Sequence, residues 1–186
     1  MNPNPWQVGA WIVAVVGGLT AAALGILQAI QNRQLREKEL RWKQAESGKH
    51  LIDEIFHEDL SNSATLMLDS WDRTYKVPGG DKVKLAWKDV VRALNMKSFD
   101  DDNPQNDFVR DCFDMLFYYL DRLEHLIQAG LTTFEDVRLP IEYYVDMLAE
   151  REDRSVIEAY IRACKYQKIW KFLDRFPAWA KPPIDK

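Results

Sequence analysis

The chain has 186 residues, 47% of them apolar and 29% charged, with eight glycines, eight prolines and a formal charge of −4; such a composition excludes collagen-like, disulfide-rich and wholly disordered chains. The charge is uneven, +3 over residues 1–49 and −7 over residues 50–186. An acidic body lacks the cationic surface that displaces counterions from phosphates, so no nucleic-acid partner is expected.

No side chain between residues 2 and 32 is charged, and from residue 8 to residue 30 the clearly polar ones are Thr20 and Gln28. At about 1.5 Å per residue this run crosses a hydrocarbon core of about 30 Å, so residues 1–32 are read as a transmembrane anchor. A cleaved signal peptide would open on Lys or Arg and carry a shorter apolar region. Here the first basic residue is Arg33, followed by Arg36, Lys38, Arg41 and Lys43. By the positive-inside rule the N-terminus then faces outward and the remainder lies in the cytoplasm, with Trp6 and Trp11 near the outer interface. Small residues stand four apart in two rows, Ala10, Ala14, Gly18 and Ala22 beside Gly17, Ala21 and Gly25. Such rows let two membrane helices approach closely, and a homo-oligomer is expected, although Gly and Ala are common in any membrane helix.

Residues 33–49 are read as a charged helical stalk, with Glu37/Arg41 and Glu39/Lys43 at i,i+4 spacing and Ser47-Gly48 breaking the pattern. Gln28, Leu35, Trp42 and Lys49 have a heptad interval, but only two are apolar, so a strong coiled coil is not expected. The basic excess is sufficient to attract anionic lipid headgroups.

Residues 50–178 predict a compact bundle of about six helices, with 179–186 as a tail; the fold class is all-α. Leu51, Ile52, Ile55, Phe56 and Leu60 trace the first face, and Ser61-Asn62-Ser63 offers capping groups for a second helix reaching Trp71 and Tyr75. A third covers about residues 84–95. The polar stretch SFDDDNPQND leads into the longest helix, about 107–129, whose wide apolar side from Phe108 to Ile127 suits a central position and whose end is marked by Gly130. Thr132-Thr133 can cap a fifth, about 134–149, where Pro140 either kinks it or opens a new segment. One last helix is predicted over about 154–175. No strand-like alternation of useful length is apparent. Cys112 and Cys164 lack any CxxC or Cys/His pattern and read as reduced core thiols.

The order of anchor, stalk and helical body, with FVRDCFDMLFYYLDRLEHLIQAGLTTFEDVRLPIEYYV and then YIRACKYQKIWKFLDRF, resembles small uncharacterised bacterial single-pass membrane proteins classed under a domain of unknown function. The resemblance implies placement in a bacterial inner membrane and no known reaction.

His50, Asp53, Glu54 and His57 have the spacing of metal ligands, yet they lie opposite the first apolar face, where a solvated surface explains them. Asp100-Asp101-Asp102-Asn103 lacks the alternating ligands, Gly and terminal Glu of a calcium loop. Asp114, Asp121 and His125, with Tyr118, could serve proton transfer, but water or neighbouring helices are the simpler partners. Neither metal nor cofactor is expected. Arg162, Lys165, Lys168, Lys171 and Arg175 form the one concentrated positive region of the acidic body and are the candidate site for a protein or a small anionic ligand. No Walker loop, GxGxxG, HExxH or GxSxG occurs. The chain is therefore read as a membrane-anchored interaction or sensing module, not an enzyme. The alternative is an oligomerising effector of the defence or toxin type, whose membrane helix perturbs the bilayer when the body is triggered.

Overall fold

The computed structural model describes residues 5–69, 73–77, 82–99 and 102–181, and within the first helix the side chains of Gly18 and of residues 24 onward. The chain divides into two units, Met1–Lys43 and Gln44–Lys186. The described residues hold eight helices and one two-stranded sheet, so the helical class stands with a hairpin added.

In the first unit all described residues belong to helix α1 (Pro5–His57). Arg33 pairs with Glu37 at 2.9 Å, and the expected Lys43–Glu39 pair forms at 2.7 Å. Arg33, Arg36, Lys38, Arg41 and Lys43 are all exposed. Among the described residues no helix is long and apolar enough to cross a membrane. Most of the run that carries that expectation, including the side chains of Trp6, Trp11, Gly17, Ala21 and Ala22, lies outside the described residues. Gly18 and Gly25 lie inside them, with open space where a Cβ would stand.

The second unit begins within α1, and the break expected at Ser47-Gly48 does not occur. Gly48 is buried, and a Cβ there would lie 2.5 Å from Thr132 Oγ1 and 3.0 Å from Val137 Cγ1. Its missing side chain therefore serves close packing within a continuous helix. Leu51, Ile52 and Ile55 continue the buried face. Helix α2 (Asp59–Leu68) is capped by Glu58, whose carboxylate accepts the Ser61 N–H at 2.7 Å, upstream of the expected Ser61-Asn62-Ser63.

α2 stops well short of Tyr75. Strands β1 (Arg73–Lys76) and β2 (Lys82–Leu85) pair antiparallel, with Arg73 opposite Leu85 and Tyr75 opposite Val83. Tyr75, Val77 and Leu85 are buried, while Thr74, Lys76, Lys82 and Lys84 are exposed. This is the period of two that a half-buried hairpin requires. Helix α3 (Trp87–Leu94) follows, shorter than expected because Val83 and Leu85 belong to the strand.

Helix α4 (Pro104–Gln128) starts earlier than the sequence suggested, with Pro104 in its first turn and Asn103 Oδ1 accepting the Gln105 N–H at 3.0 Å; proline suits this position because its missing donor would be unpaired anyway. Its wide apolar side packs against α2, α3 and α7 (Ile169–Leu173), so it is central as expected. Gly130 closes it at φ +70°, and the Leu131 N–H reaches the Leu126 carbonyl at 3.0 Å, a left-handed helix ending. Helix α5 (Phe134–Ala149) is capped by Thr133 with Asp136 and runs unbroken through Pro140.

The single helix expected over about 154–175 is divided. Helix α6 (Arg154–Ala163) ends before Lys165, which turns the chain at φ +60°. After α7 comes a short helix, α8 (Pro177–Ala180). The expected tail boundary at 179 also moves: Trp179 is buried, and Arg154 donates to the carbonyls of Trp179 and Lys181, each at 2.8 Å.

Candidate functional site

The five basic residues predicted as a ligand site do not assemble on one helix. Arg162 sits 3.8 Å from Glu158 and lies over the Trp170 ring. Lys165 forms the left-handed turn. Lys168 gives its backbone N–H to Asp121 at 2.7 Å and its ammonium approaches His125 Nδ1. Lys171 is exposed on α7. Arg175 makes a two-pronged pair with buried Glu124, 2.8 Å on both arms, and so serves the interior of the fold.

The other sequence candidates are likewise drawn to separate partners. Asp121 caps α7 by accepting the N–H groups of Lys168 and Ile169. His50 faces Glu54 at 3.3 Å, and His57 Nδ1 meets the Asp53 carbonyl at 2.7 Å. Among the described residues no three His, Cys, Asp or Glu converge as metal ligands. Asp100 and Asp101 lie outside the described residues. Cys112 and Cys164 are unpaired by disulfide. Burial, with the nearby charges of Asp111 and Glu58, pushes the Cys112 thiol up to about 12, so it is not a thiolate at neutral pH.

A site does form where one face of α4 meets a neighbour on either side. Asp111, Asp114, Met115 and Tyr118 stand at i, i+3, i+4 and i+7, one side of a helix. Leu60 from α2 and Tyr166 from the turn after α6 complete an open groove of 380 Å³. The backbone at Lys165 is what delivers Tyr166. Its hydroxyl donates to the Asp114 carbonyl at 3.0 Å and lies 3.3 Å from Asp114 Oδ1. Tyr160 donates to the same carboxylate oxygen at 3.0 Å. Phe117 stacks against both tyrosines, at 6.3 and 6.1 Å between ring centres, and fixes their orientation.

The groove is electrostatically one-sided. Burial and then the charges of Asp114 and Asp107 push the Asp111 carboxyl above its ordinary value. Burial, then Asp114 and Cys164, push the hydroxyls of Tyr160 and Tyr166 up, so both remain donors to the carboxylate. Tyr118 is half exposed at the rim. Two carboxylates beside tyrosine rings and a thioether suit a positively charged, partly apolar group.

A second recess of 410 Å³ is lined by Trp87, Met147 and residues 150–153, of which Trp87, Arg151 and Asp153 are engaged within the fold. Arg151 lies 3.9 Å over the Trp87 ring and donates to the Leu68 carbonyl at 2.6 Å, while the Trp87 indole N–H donates to Asp153.

Asp114 and Tyr118 appeared among the sequence candidates, but with the wrong companions. Asp111 and Met115 share their helical spacing and were legible on that ground. Leu60 and Tyr166 are distant in sequence and were missed. Comparison with known proteins gives no matching family model, no matching curated protein and no matching solved structure.

Proposed function

We propose that this protein is a membrane-tethered binding module: residues 1–32 anchor it in a bacterial inner membrane with the N-terminus outside, and the unit from residue 44 holds a partner at the cytoplasmic face through the groove on α4. One observation carries the tether. Leu24, Ile26, Leu27 and Ile30 are all exposed, with Gly25 and Ala29 between them, and only Gln28 is polar in that stretch. Successive helical residues are spaced by about 100°, so these side chains circle the axis. A helix that is apolar all round belongs in a protein core or in lipid. The uncharged sequence continues N-terminally from there, and the basic residues Arg33 to Lys43 follow on the other side.

The test is fractionation of the full-length chain under alkaline carbonate, with reporter fusions at each terminus. The expected result is a membrane pellet that resists extraction and a C-terminal reporter active in the cytoplasm. Full release into the supernatant would remove the tether. Cross-linked capture from membranes then seeks the partner.

The oligomerising effector remains a second reading, supported by the open space at Gly18 and Gly25. Liposomes carrying the wild-type chain and a variant with Gly17, Ala21 and Gly25 changed to Leu decide it. Leakage from the wild type alone supports the effector; absence of leakage under every condition removes it.

A further inference from the structure

The occupant of the groove can be specified further, on the reading that this unit is a binding module. We infer that the groove of Leu60, Asp111, Asp114, Met115, Tyr118 and Tyr166 receives the ammonium or guanidinium end of a lysine or arginine side chain presented by a partner protein.

Charge complementarity comes first. Asp114 has one carboxylate oxygen committed to two tyrosine hydroxyls, whereas Asp111 has no hydrogen-bond or ion-pair partner among the described residues. The charges that act on Asp111, from Asp114 and Asp107, are both negative. A cation entering here meets two carboxylates one helical turn apart, with no Lys or Arg among the described lining residues. An anion would meet only repulsion.

The walls then choose among cations. Leu60, Met115 and the faces of Tyr118 and Tyr166 offer apolar and aromatic surface to a methylene stem, and a tyrosine ring attracts a cation above its face. A divalent metal gains little from such walls and would find only two carboxylates, one of them already shared with tyrosines. The openness of the site selects the source. Small-molecule sites bury most of their ligand, but this groove leaves Tyr118 at 50% exposure. A side chain whose backbone is held elsewhere needs only its stem and tip covered. A free cation would need enclosure that the groove does not give.

The experiment uses the full chain in nanodiscs and a fluorescein-labelled peptide of alternating leucine and arginine, read by anisotropy. Three probes are compared: this peptide, the same peptide with glutamine for arginine, and agmatine as a free guanidinium competitor. The arginine peptide should bind at least about tenfold more tightly than the glutamine peptide, as expected of charge-assisted hydrogen bonds. Asp111→Asn should weaken binding about fivefold or more without lowering the melting temperature, since the Asp111 carboxylate has no hydrogen-bond or ion-pair partner among the described residues to lose. Tyr118→Ala should weaken it too, and Asp174→Asn, an exposed acid that does not line the groove, should leave it unchanged. Equal binding of the two peptides, indifference to Asp111→Asn, or agmatine binding as tightly as the peptide would each overturn the inference. Its failure is separable from that of the tether. A partner cross-linked equally by wild type and Asp111→Asn leaves the module reading intact and removes this one, whereas full carbonate release removes the tether and leaves the peptide result standing.

Discussion

Three arginine side chains carry much of the interior's specificity. Arg110 donates to the Ala93 and Ser98 carbonyls and pairs with Asp107 while its guanidinium lies over Phe99. Arg154 reaches Glu158 and two carbonyls at the C-terminal end and stacks on Trp179. Arg175 neutralises Glu124. Buried charge is tolerable only when its donors are used in this way. One tightly packed position is a residue with no side chain at all. Gly48→Ala adds a methyl 2.5 Å from Thr132 Oγ1 and 3.0 Å from Val137. Alanine favours a helix by about 1 kcal/mol over glycine, but overpacking costs about 1–3 kcal/mol. We expect net destabilisation in urea melts. Thr132 Oγ1 is itself buried without a hydrogen-bond partner, so Thr132→Ala should reduce the cost of Gly48→Ala in a double-mutant cycle. Simple additivity would refute the contact.

At the scale of elements, the decisive departure from sequence periodicity is the turn between α6 and α7. Apolar residues stand at helical intervals through Ile157, Ile161 and Cys164 and again at Ile169 and Phe172, with a five-residue step between the two sets and neither Gly nor Pro to mark it. What ends the helix is tertiary. Asp121 offers its carboxylate to the first N–H groups of α7, and Asp114 holds Tyr166. These bonds offset the left-handed backbone at Lys165, which costs a side chain about 1–2 kcal/mol. Lys165→Gly should therefore raise stability by about 1 kcal/mol, and Lys165→Val should lower it. Identical urea midpoints for the two variants would contradict this. The hairpin escaped detection for a different reason. Its strands have four residues each, and Tyr75 stands four after Trp71, which reads equally well as a helical face. Gly48 misled, read as a break where close packing keeps the helix continuous, whereas the fifth helix keeps its expected span with Pro140 inside it.

Across the whole molecule, the central helix was legible because 25 residues of consistent amphipathic pattern leave little choice, and the helical class followed from it. The groove was only half legible: its α4 wall is written at i, i+3, i+4 and i+7, but Leu60 and Tyr166 come from elements whose approach depends on the complete fold. Stability should respond to acid through Glu124. Burial alone would push its carboxyl up, but hydrogen bonds from Arg175 and Gln128, with the charges of Arg175 and Lys171, outweigh burial and hold it below its ordinary value. A carboxylate depressed in the folded state contributes fully above its unfolded pKa of about 4.3 and loses that contribution as pH falls toward the folded value. Urea midpoints should thus decline on acidification through this range, and Glu124→Gln should be less stable at neutral pH with a shallower acid limb. An unchanged slope would show that other carboxylates govern the decline. Asp111 and Asp146, both raised by burial, act in the opposite sense and moderate it.

Asp114, Asp121 and Glu124 find their partners 46, 47 and 51 positions downstream, in residues made after α4. At about 5–20 residues per second, translation leaves a gap of roughly 2–9 s between completing α4 and supplying those partners. During that interval the nascent chain carries α4 with three acids on it still awaiting hydroxyl, amide and guanidinium donors. Chaperone capture during synthesis should therefore concentrate on α4.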